Sequence, residues 1–163
     1  MEEISIVKAG MQDMPRILDI YAYARNFMRE NGNPTQWDNL EAIKSNLLAD
    51  IEHGNLYLIK NGDDIHGAFA FIIGDDATYA EIEQGEWFSD KEYGTIHRVA
   101  SDGSLHGVLG MAVEFCSKKN SHLRIDTHED NKIMQHVIIK NGFRKCGIIH
   151  VADGSPRLAY EKI

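Results

Sequence analysis

Residues 97–116, HRVASDGSLHGVLGMAVEFC, and residues 123–147, LRIDTHEDNKIMQHVIIKNGFRKCG, decide the fold of this chain. Their pattern predicts a strand, a glycine-bearing turn, an amphipathic helix, a strand, a capped helix and a strand opened by Gly-Phe. The turn holds Gly103 and Gly107 directly before a helix, where several backbone N–H groups have no intrahelical partner. These groups and the positive end of the helix dipole favour a phosphate or pyrophosphate. We therefore expect the chemistry of the chain in this stretch.

The composition is that of an ordinary globular domain. The chain has 163 residues, 43% of them hydrophobic and 26% charged, so we expect one domain over 1–163. No apolar run approaches the roughly 20 residues of a membrane span, and the start MEEISIV has no signal-peptide pattern, so we expect a cytoplasmic protein. The net charge of −8 argues against nucleic acid but not against a small phosphorylated ligand. A monomer and a homodimer both remain open.

Two cysteines, Cys116 and Cys146, fit a reducing compartment. Cys116 falls on the apolar stripe of a helix, and Cys146 lies within an expected strand. We expect both to be buried or inert thiols rather than a nucleophile, a disulfide or metal ligands.

Apolar spacing along the rest of the chain predicts a mixed α/β sheet, in the order β-α-α-β-β-β-α-β-α-β-β. Apolar residues three and four positions apart indicate helices, and apolar runs between turn residues indicate strands. The expected elements are a strand at Ile4 and Ile6; helices with the apolar faces Ile17, Ile20, Tyr21, Ala24, Phe27, Met28 and Leu40, Ile43, Leu47, Leu48, Ile51; strands over 56–59, 65–73 and 93–100; a helix with Val108, Met111, Ala112, Phe115 and Cys116; a strand over 123–127; a helix with Met134, Val137 and Ile138; and strands over 143–151 and 157–162.

Polar residues and glycines mark the ends of these helices. Short side chains that accept a hydrogen bond from the first turn are favoured at a helix start, and glycine is favoured just past the end. The expected caps are Asp13 with Pro15 in the first turn, Asp38 with Glu41 as a capping box, and Asp130, with Gly142 as the left-handed residue that ends the last helix.

The order of elements, with its glycine turn before the third helix, resembles the Gcn5-related N-acetyltransferase (GNAT) superfamily over essentially the whole chain. The superfamily's pyrophosphate motif, Gln/Arg-x-x-Gly-x-Gly/Ala, aligns with Ser104–Leu109 and matches at Gly107, and Gly110 follows at once. Asn131, followed eleven residues later by Gly142-Phe143, is similar to the superfamily's Asn-…-Gly-Phe segment. The tracts TIHR and IDTHEDN resemble a bacterial subgroup.

This resemblance implies acetyl-coenzyme A as the acetyl donor, held where strands 95–101 and 123–127 splay apart. Main-chain groups near Val99 and Ser101 would then pair with the pantetheine amides, as a ligand taking the place of a strand. Asn131 would either contact the cofactor arm or only cap its helix. The residues expected to cradle the pyrophosphate, mainly through backbone amides, are Ser104, Leu105, His106, Gly107, Val108 and Leu109.

Acetyl transfer to an amine requires a base, an oxyanion donor and departure of the thiolate. A backbone N–H near Val99 or Ala100 can donate a hydrogen bond to the oxyanion, and such a donor raises the rate by roughly 10²–10³-fold. The superfamily often places a tyrosine acid seven residues after the helix asparagine, but that position is Ile138 here. A thiol with a pKa near 8.5 is a tolerable leaving group without such an acid.

Histidine has the ordinary pKa that suits the base. His97 lies two residues before Val99 and so shares its strand face, and His128 follows the neighbouring strand. We consider His97 first and His128 second as the catalytic base. The alternatives are a packed sheet residue for His97 and a loop anchor for His128.

The acceptor amine is expected to contact aromatic and acidic residues. Segment 74–90 is ambiguous, because Tyr79–Ile82 fits a strand while the rest fits a loop or a short helix. The candidate acceptor contacts are Trp37, Tyr79, Glu81, Glu83 and Trp87, with core packing and solvated carboxylates as the alternatives. No HExxH or CxxC spacing is present in the sequence, so we expect no metal site.

The leading functional hypothesis is an N-acetyltransferase acting on the amine of a small molecule, with a protein or peptide amine still open. The alternative is a non-catalytic acyl-coenzyme A sensor or regulatory protein, which the isoleucine at position 138 favours. A dinucleotide-binding oxidoreductase is excluded because no GxGxxG follows the first strand.

Overall fold

The structure is a computed structural model that describes residues 3–163. Its helices and strands follow the predicted order β-α-α-β-β-β-α-β-α-β-β. The helices are α1 (Met14–Glu30), α2 (Leu40–Glu52), α3 (Val108–Ser117) and α4 (Lys132–Lys140). The strands are β1 (Ile4–Lys8), β2 (Leu56–Asn61), β3 (Asp64–Ile73), β4 (Gly94–Ser101), β5 (Leu123–Thr127), β6 (Arg144–His150) and β7 (Pro156–Lys162). Short 3₁₀ helices cover Met11–Asp13 and Ala77–Tyr79.

The seven strands form one mixed sheet in the order β1-β2-β3-β4-β5-β7-β6. Strands β4 and β5 pair in parallel, whereas β1–β2, β2–β3, β5–β7 and β6–β7 pair antiparallel. The predicted mixed α/β sheet is therefore confirmed. Among the residues described, none of the helices has the length and apolarity that a bilayer crossing requires.

Contacts divide the chain into two compact units. The first, which we call the N-terminal unit, comprises the chain up to Phe71 together with Arg98–Val108. The second, the C-terminal unit, comprises Ile72–His97 and Leu109–Ile163. The expectation of one domain over 1–163 stays a prediction.

In the N-terminal unit, one face of α1 packs with α2 and the sheet. Ile17, Ile20, Tyr21, Ala24 and Met28 are buried, as their helical spacing predicts. Two residues assigned to these apolar faces are exposed instead, Phe27 at 44% and Leu40 at 44%. Phe27 lies about 20° beyond Ile20, at the outer edge of the buried stripe and in the last turn of α1, and Leu40 is the first residue of α2.

The predicted helix caps are corrected by one residue in two helices. Helix α2 is capped by Asn39, whose Oδ1 accepts hydrogen bonds from the backbone N–H groups of Glu41 and Ala42, and not by Asp38. Helix α4 is capped by Asn131 instead of Asp130. In both cases an asparagine follows the aspartate directly, and both residue types suit the position, so composition alone could not choose between them.

The other two predicted helix ends have different outcomes. Asp13 occupies the cap position of α1 without bonding into that helix, because its carboxylate accepts the N–H of Gly10 at 2.8 Å. Gly142 has φ +91°, which confirms the left-handed end of α4.

In the C-terminal unit, Tyr79, Tyr93, Ile149 and Ala159 form a small buried cluster. The ambiguous segment contains a 3₁₀ helix at Ala77–Tyr79, followed by an isolated bridge between Glu83 and Ile148, so the strand over Tyr79–Ile82 is wrong. The two cysteines are buried free thiols, as expected.

Candidate functional site

The parallel pairing of β4 with β5 is short. Only Gly94 with Leu123 and Thr95 with Arg124 are in register among the residues described, although β5 continues to Thr127. Within the C-terminal unit, β4 continues past this pairing through Ile96 and His97. Backbone N–H and C=O groups on a strand that has left its neighbour can pair with a ligand. The pairing stops in the region where the sequence predicts a splay.

Beyond His97, β4 departs from ordinary strand geometry. Arg98 has φ +52°, which is uncommon for a residue with a side chain and interrupts the alternation of a strand. Its guanidinium donates two hydrogen bonds of 2.8 Å to the Asp50 carboxylate, and its carbonyl accepts the hydroxyl of Tyr21 at 2.5 Å. These contacts hold a conformation that otherwise costs about 1–3 kcal/mol. They therefore fix the direction of the backbone leading into Val99 and Ala100.

The glycine-bearing turn after β4 lies where the sequence predicts it, and both glycines are left-handed. Gly103 and Gly107 have φ +84° and +73°, and α3 follows directly. A Cβ on Gly103 would also lie 2.6 Å from the hydroxyl oxygen of Tyr23. Leu105, Val108 and Leu109 are buried, whereas Ser104, His106 and Gly107 are exposed. Any contribution of the three buried residues to an anion site is therefore through backbone N–H groups, which is the kind of contact a pyrophosphate requires.

Asp102 organises this turn. Its Oδ1 accepts the backbone N–H of Ser104 at 2.9 Å, while its Oδ2 contacts Arg16 Nη2 at 2.5 Å and His66 Nδ1 at 2.8 Å. Burial by itself would raise the pKa of Asp102, but the hydrogen bonds from His66 and Ser104 outweigh it and lower that pKa. Sequence reasoning missed this cluster, because Arg16 and His66 lie 86 and 36 residues from Asp102.

His97 is paired with a carboxylate. Its Nε2 lies 2.9 Å from Asp76 Oδ2, and the two side chains are about one-fifth exposed. Because an ionised carboxylate only accepts hydrogen bonds, Nε2 carries the proton of the neutral ring and Nδ1 carries the lone pair. Burial alone would raise the pKa of Asp76, but the hydrogen bonds from His97 and Thr78 hold it well below its ordinary value. The sequence offered no signal for Asp76 as the partner.

Tyr79 lies beside this pair and binds a second carboxylate. Its hydroxyl donates to Asp126 Oδ2 at 2.6 Å, and its ring centroid is 6.3 Å from that of His97. The side chain is 2% exposed, and burial together with the Asp126 carboxylate raises the pKa of Tyr79 well above its ordinary value. Tyr79 is therefore a hydrogen-bond donor at neutral pH.

A cavity of about 600 Å³ opens against these residues within the C-terminal unit. Arg124 forms part of its wall, with its guanidinium 3.9 Å from the ring centroid of Trp87 and 3.8 Å from that of Tyr93. Arg124 Nε also donates to the buried Glu161 carboxylate at 2.6 Å. The lining residues are Asp75, Asp76, Ala77, Tyr79, Ala80, Trp87, Phe88, Ser89, Asp90, Tyr93 and Arg124. Tyr79 and Trp87, both expected at an acceptor site, thus share one cavity.

The second histidine candidate has contacts that anchor a loop. His128 Nδ1 accepts the backbone N–H of Asp130 at 3.0 Å, and its carbonyl accepts Gln135 Nε2 at 3.2 Å. Asn131 Oδ1 accepts the backbone N–H of Met134, so this side chain caps α4. These bonds fit the structural alternative for both residues, and their catalytic and cofactor roles stay predictions.

The remaining candidates are not among the residues that line the cavity. The Trp37 ring lies 5.4 Å from that of Tyr21 and packs against the core of the N-terminal unit. Glu81 and Glu83 are exposed outside the lining. Ile138 is fully buried. Over residues 3–163, no group of three or more histidine, cysteine or acidic side chains is arranged to hold a metal.

Comparison with solved structures finds the same fold. An acetyltransferase of the GNAT family from Streptococcus agalactiae 2603 gives a TM-score of 0.86 with 28% identity, covering 98% of this chain and 95% of that chain. Mycobacterium smegmatis RimJ in complex with CoA-disulfide gives a TM-score of 0.60 with 15% identity, covering 97% and 80%. The ribosomal-protein-S18-alanine N-acetyltransferase from Escherichia coli gives 0.59 with 12% identity, covering 98% and 93%. No protein-family model matches the sequence, and neither does any curated protein.

Proposed function

Because the chain belongs to the GNAT superfamily and has an acyltransferase fold, we propose that it transfers an acetyl group from acetyl-coenzyme A to the amine of a small molecule. The observation that carries the proposal is the His97–Asp76 pair, since His97 lies two residues beyond Thr95, where the pairing of β4 with β5 ends. Acetyl-coenzyme A supplies the thioester whose carbon–sulfur bond breaks as the carbon–nitrogen bond forms, and it leaves as coenzyme A.

His97 is the base in this proposal. An amine attacks only with its lone pair available, so the ammonium form must lose a proton before the new bond forms. Nδ1 of His97 accepts that proton, directly or through one water, while Asp76 holds Nε2–H and stabilises the imidazolium that results. Histidine is suited to this step because its ordinary pKa lies near neutrality.

The backbone after Arg98 binds the rest of the reacting group. The N–H of Val99 or Ala100 donates to the oxygen that gains negative charge, a contribution of roughly 10²–10³-fold. Val99 and Ser101 pair with the pantetheine amides. One observation supports this role: Asp50 and Tyr21 hold Arg98 in its unusual conformation. A backbone donor that is held rigidly needs no rearrangement during the reaction.

The turn between β4 and α3 holds the pyrophosphate. Its exposed residues Ser104, His106 and Gly107 leave the backbone accessible, and the left-handed φ of Gly107 turns the chain toward the helix start. We assign the contacts to the backbone N–H groups of residues 105–109. The net charge of −8 is no obstacle, because oriented N–H groups provide a local positive potential.

The decisive experiment measures coenzyme A release over a panel of small amines for the wild type, His97→Gln and His128→Gln. We expect His97→Gln to lower kcat by about 10²-fold or more while acetyl-coenzyme A still raises the melting temperature. His128→Gln is the matched control and keeps most of the turnover. If His97→Gln keeps wild-type turnover and His128→Gln loses it, then His128 is the base and His97 is not.

A second candidate function is a non-catalytic acyl-coenzyme A sensor with the same fold. The observation that favours it is the buried Ile138 at the position of the superfamily's frequent tyrosine acid. This function predicts a melting-temperature rise with acetyl-coenzyme A and no coenzyme A release with any amine. A protein amine is the third acceptor class, and a panel that includes peptides with free N-termini separates it from small amines.

We also propose the cytoplasm as the location of the protein. The two free cysteines support this location, because unpaired thiols fit a reducing compartment.

A further inference from the structure

The cavity of the C-terminal unit has the dimensions of a small-molecule site. Its volume of about 600 Å³ falls in the range of roughly 300–1,000 Å³ that such sites occupy. Tyr79, Trp87 and Tyr93 supply aromatic surface, and Asp76 and Tyr79 join the cavity wall to His97. A ligand in this cavity therefore lies against Asp76, the carboxylate that holds the His97 ring which we assign to proton removal.

The charge of the cavity wall selects a cation. Arg124 is the one basic residue among those lining the cavity in the described chain, and Glu161 balances its charge at 2.6 Å. Asp76 is held by His97 and Thr78. Two lining carboxylates, Asp75 and Asp90, are exposed and thus accessible to a ligand. Two uncompensated negative charges beside aromatic surface favour an organic ammonium group and disfavour an anion.

The proposed reaction requires a different charge at each end of such a ligand: a neutral nitrogen that attacks, and a positive group beside the carboxylates. The nitrogen that attacks must be neutral when it reacts, because His97 removes its proton. A monoamine therefore has no positive charge left for Asp75 and Asp90 at that moment. A diamine keeps its second ammonium group and satisfies both requirements.

We infer, on the basis of the proposed function, that this cavity binds the acceptor as a diamine whose unreacted ammonium group lies with Asp75 and Asp90. Trp87 and Tyr93 supply the apolar wall along the hydrocarbon between the two nitrogens. The diamine is the substrate class, and the cavity is its specificity site.

The test compares 1,4-diaminobutane with 1-aminobutane in two assays. The first is direct binding to the protein alone by titration calorimetry, and the second is kcat/KM for coenzyme A release. We expect 1,4-diaminobutane to exceed 1-aminobutane by about tenfold in both assays, since two partly exposed ion pairs contribute at most a few-fold each. This preference should decrease as the salt concentration rises.

The double variant Asp75→Asn/Asp90→Asn removes the two carboxylates with little change in shape. We expect it to lose about tenfold in affinity for 1,4-diaminobutane and to lose the preference over 1-aminobutane. The matched control is Asp63→Asn/Asp64→Asn at the turn between β2 and β3, which removes the same charge from exposed residues outside the cavity lining. The control should keep the preference.

The outcomes separate this inference from the proposed function. Equal binding of the two amines to the wild type, or an unchanged preference in Asp75→Asn/Asp90→Asn, overturns the diamine site even if coenzyme A is released with monoamines. Binding of 1,4-diaminobutane that depends on Asp75 and Asp90, without coenzyme A release for any amine, supports the site and overturns the enzymatic function.

Discussion

At the scale of single residues, the chain repeatedly places one carboxylate where it holds another functional group. Asp76 holds His97, Asp50 holds Arg98 and Asp102 holds the turn before α3. The partners of Asp76 and Asp50 lie 21 and 48 residues away along the chain, whereas Ser104 lies two residues after Asp102 in the same turn. Sequence reasoning could nominate His97 from its strand position, but the carboxylates depend on tertiary contacts that no spacing records.

Asp76 gives a prediction on pH dependence. Its pKa is lowered in the folded protein, so its ionised form stabilises the fold above its unfolded pKa of about 4, and this contribution is lost as the pH falls toward the folded value. We expect Asp76→Asn to lower the free energy of unfolding at pH 7 and the difference from the wild type to shrink below about pH 4. Urea denaturation at several pH values measures this. A difference that does not change with pH would contradict it.

Asp102 gives a prediction on cofactor affinity. Arg16 neutralises its carboxylate, which otherwise faces the backbone turn that we assign to the pyrophosphate. Arg16→Met should weaken acetyl-coenzyme A binding by about tenfold, and Arg16→Met/Asp102→Asn should recover part of the loss because the unpaired negative charge is gone. Titration calorimetry measures the affinities, and additive effects of the two substitutions would argue against the coupling.

At the scale of elements, the turn between β4 and α3 is where an inserted side chain has the clearest consequence. We expect Gly107→Glu to abolish the rise in melting temperature with acetyl-coenzyme A, because its carboxylate would face the pyrophosphate. Gly154→Glu is the matched control, since Gly154 has φ +86° against +73° for Gly107 and neither position has an atom within 4 Å of an added Cβ. Both variants should lose similar stability, and only Gly107→Glu should lose the ligand response.

The sequence was most informative about the positions of the helices and strands. Apolar periodicity placed all four α-helices and located β5 over 123–127, because burial imposes that spacing on the sequence. Segment 74–90 was the failure at this level. It contains a 3₁₀ helix and one isolated bridge, and its fold depends on tertiary bonds such as Trp87 Nε1 to the carbonyl of Tyr79. The cavity is lined by this segment, so Asp75 and Asp90, which we propose as acceptor contacts, were not predictable from spacing.

At the scale of the whole molecule, a buried charge cluster in the C-terminal unit joins three parts of the chain. Glu161 is 1% exposed and accepts hydrogen bonds from His122, Arg124 and the backbone of Phe88. Glu161→Gln leaves the Arg124 guanidinium buried without its counter-charge, which costs about 3–5 kcal/mol. We expect the urea midpoint to fall accordingly. Glu114→Gln, an exposed carboxylate on α3, should leave it nearly unchanged.

The buried cysteines have a practical consequence for following the reaction. Burial raises the pKa of both the Cys116 and the Cys146 thiol to about 12, so at pH 8 only about one molecule in 10⁴ carries either thiolate. A chromogenic disulfide reagent should therefore not react with the native protein. It should titrate two thiols per chain once the protein is denatured. The absorbance that develops during an assay then measures only the thiol of released coenzyme A, and no correction for protein thiols is needed.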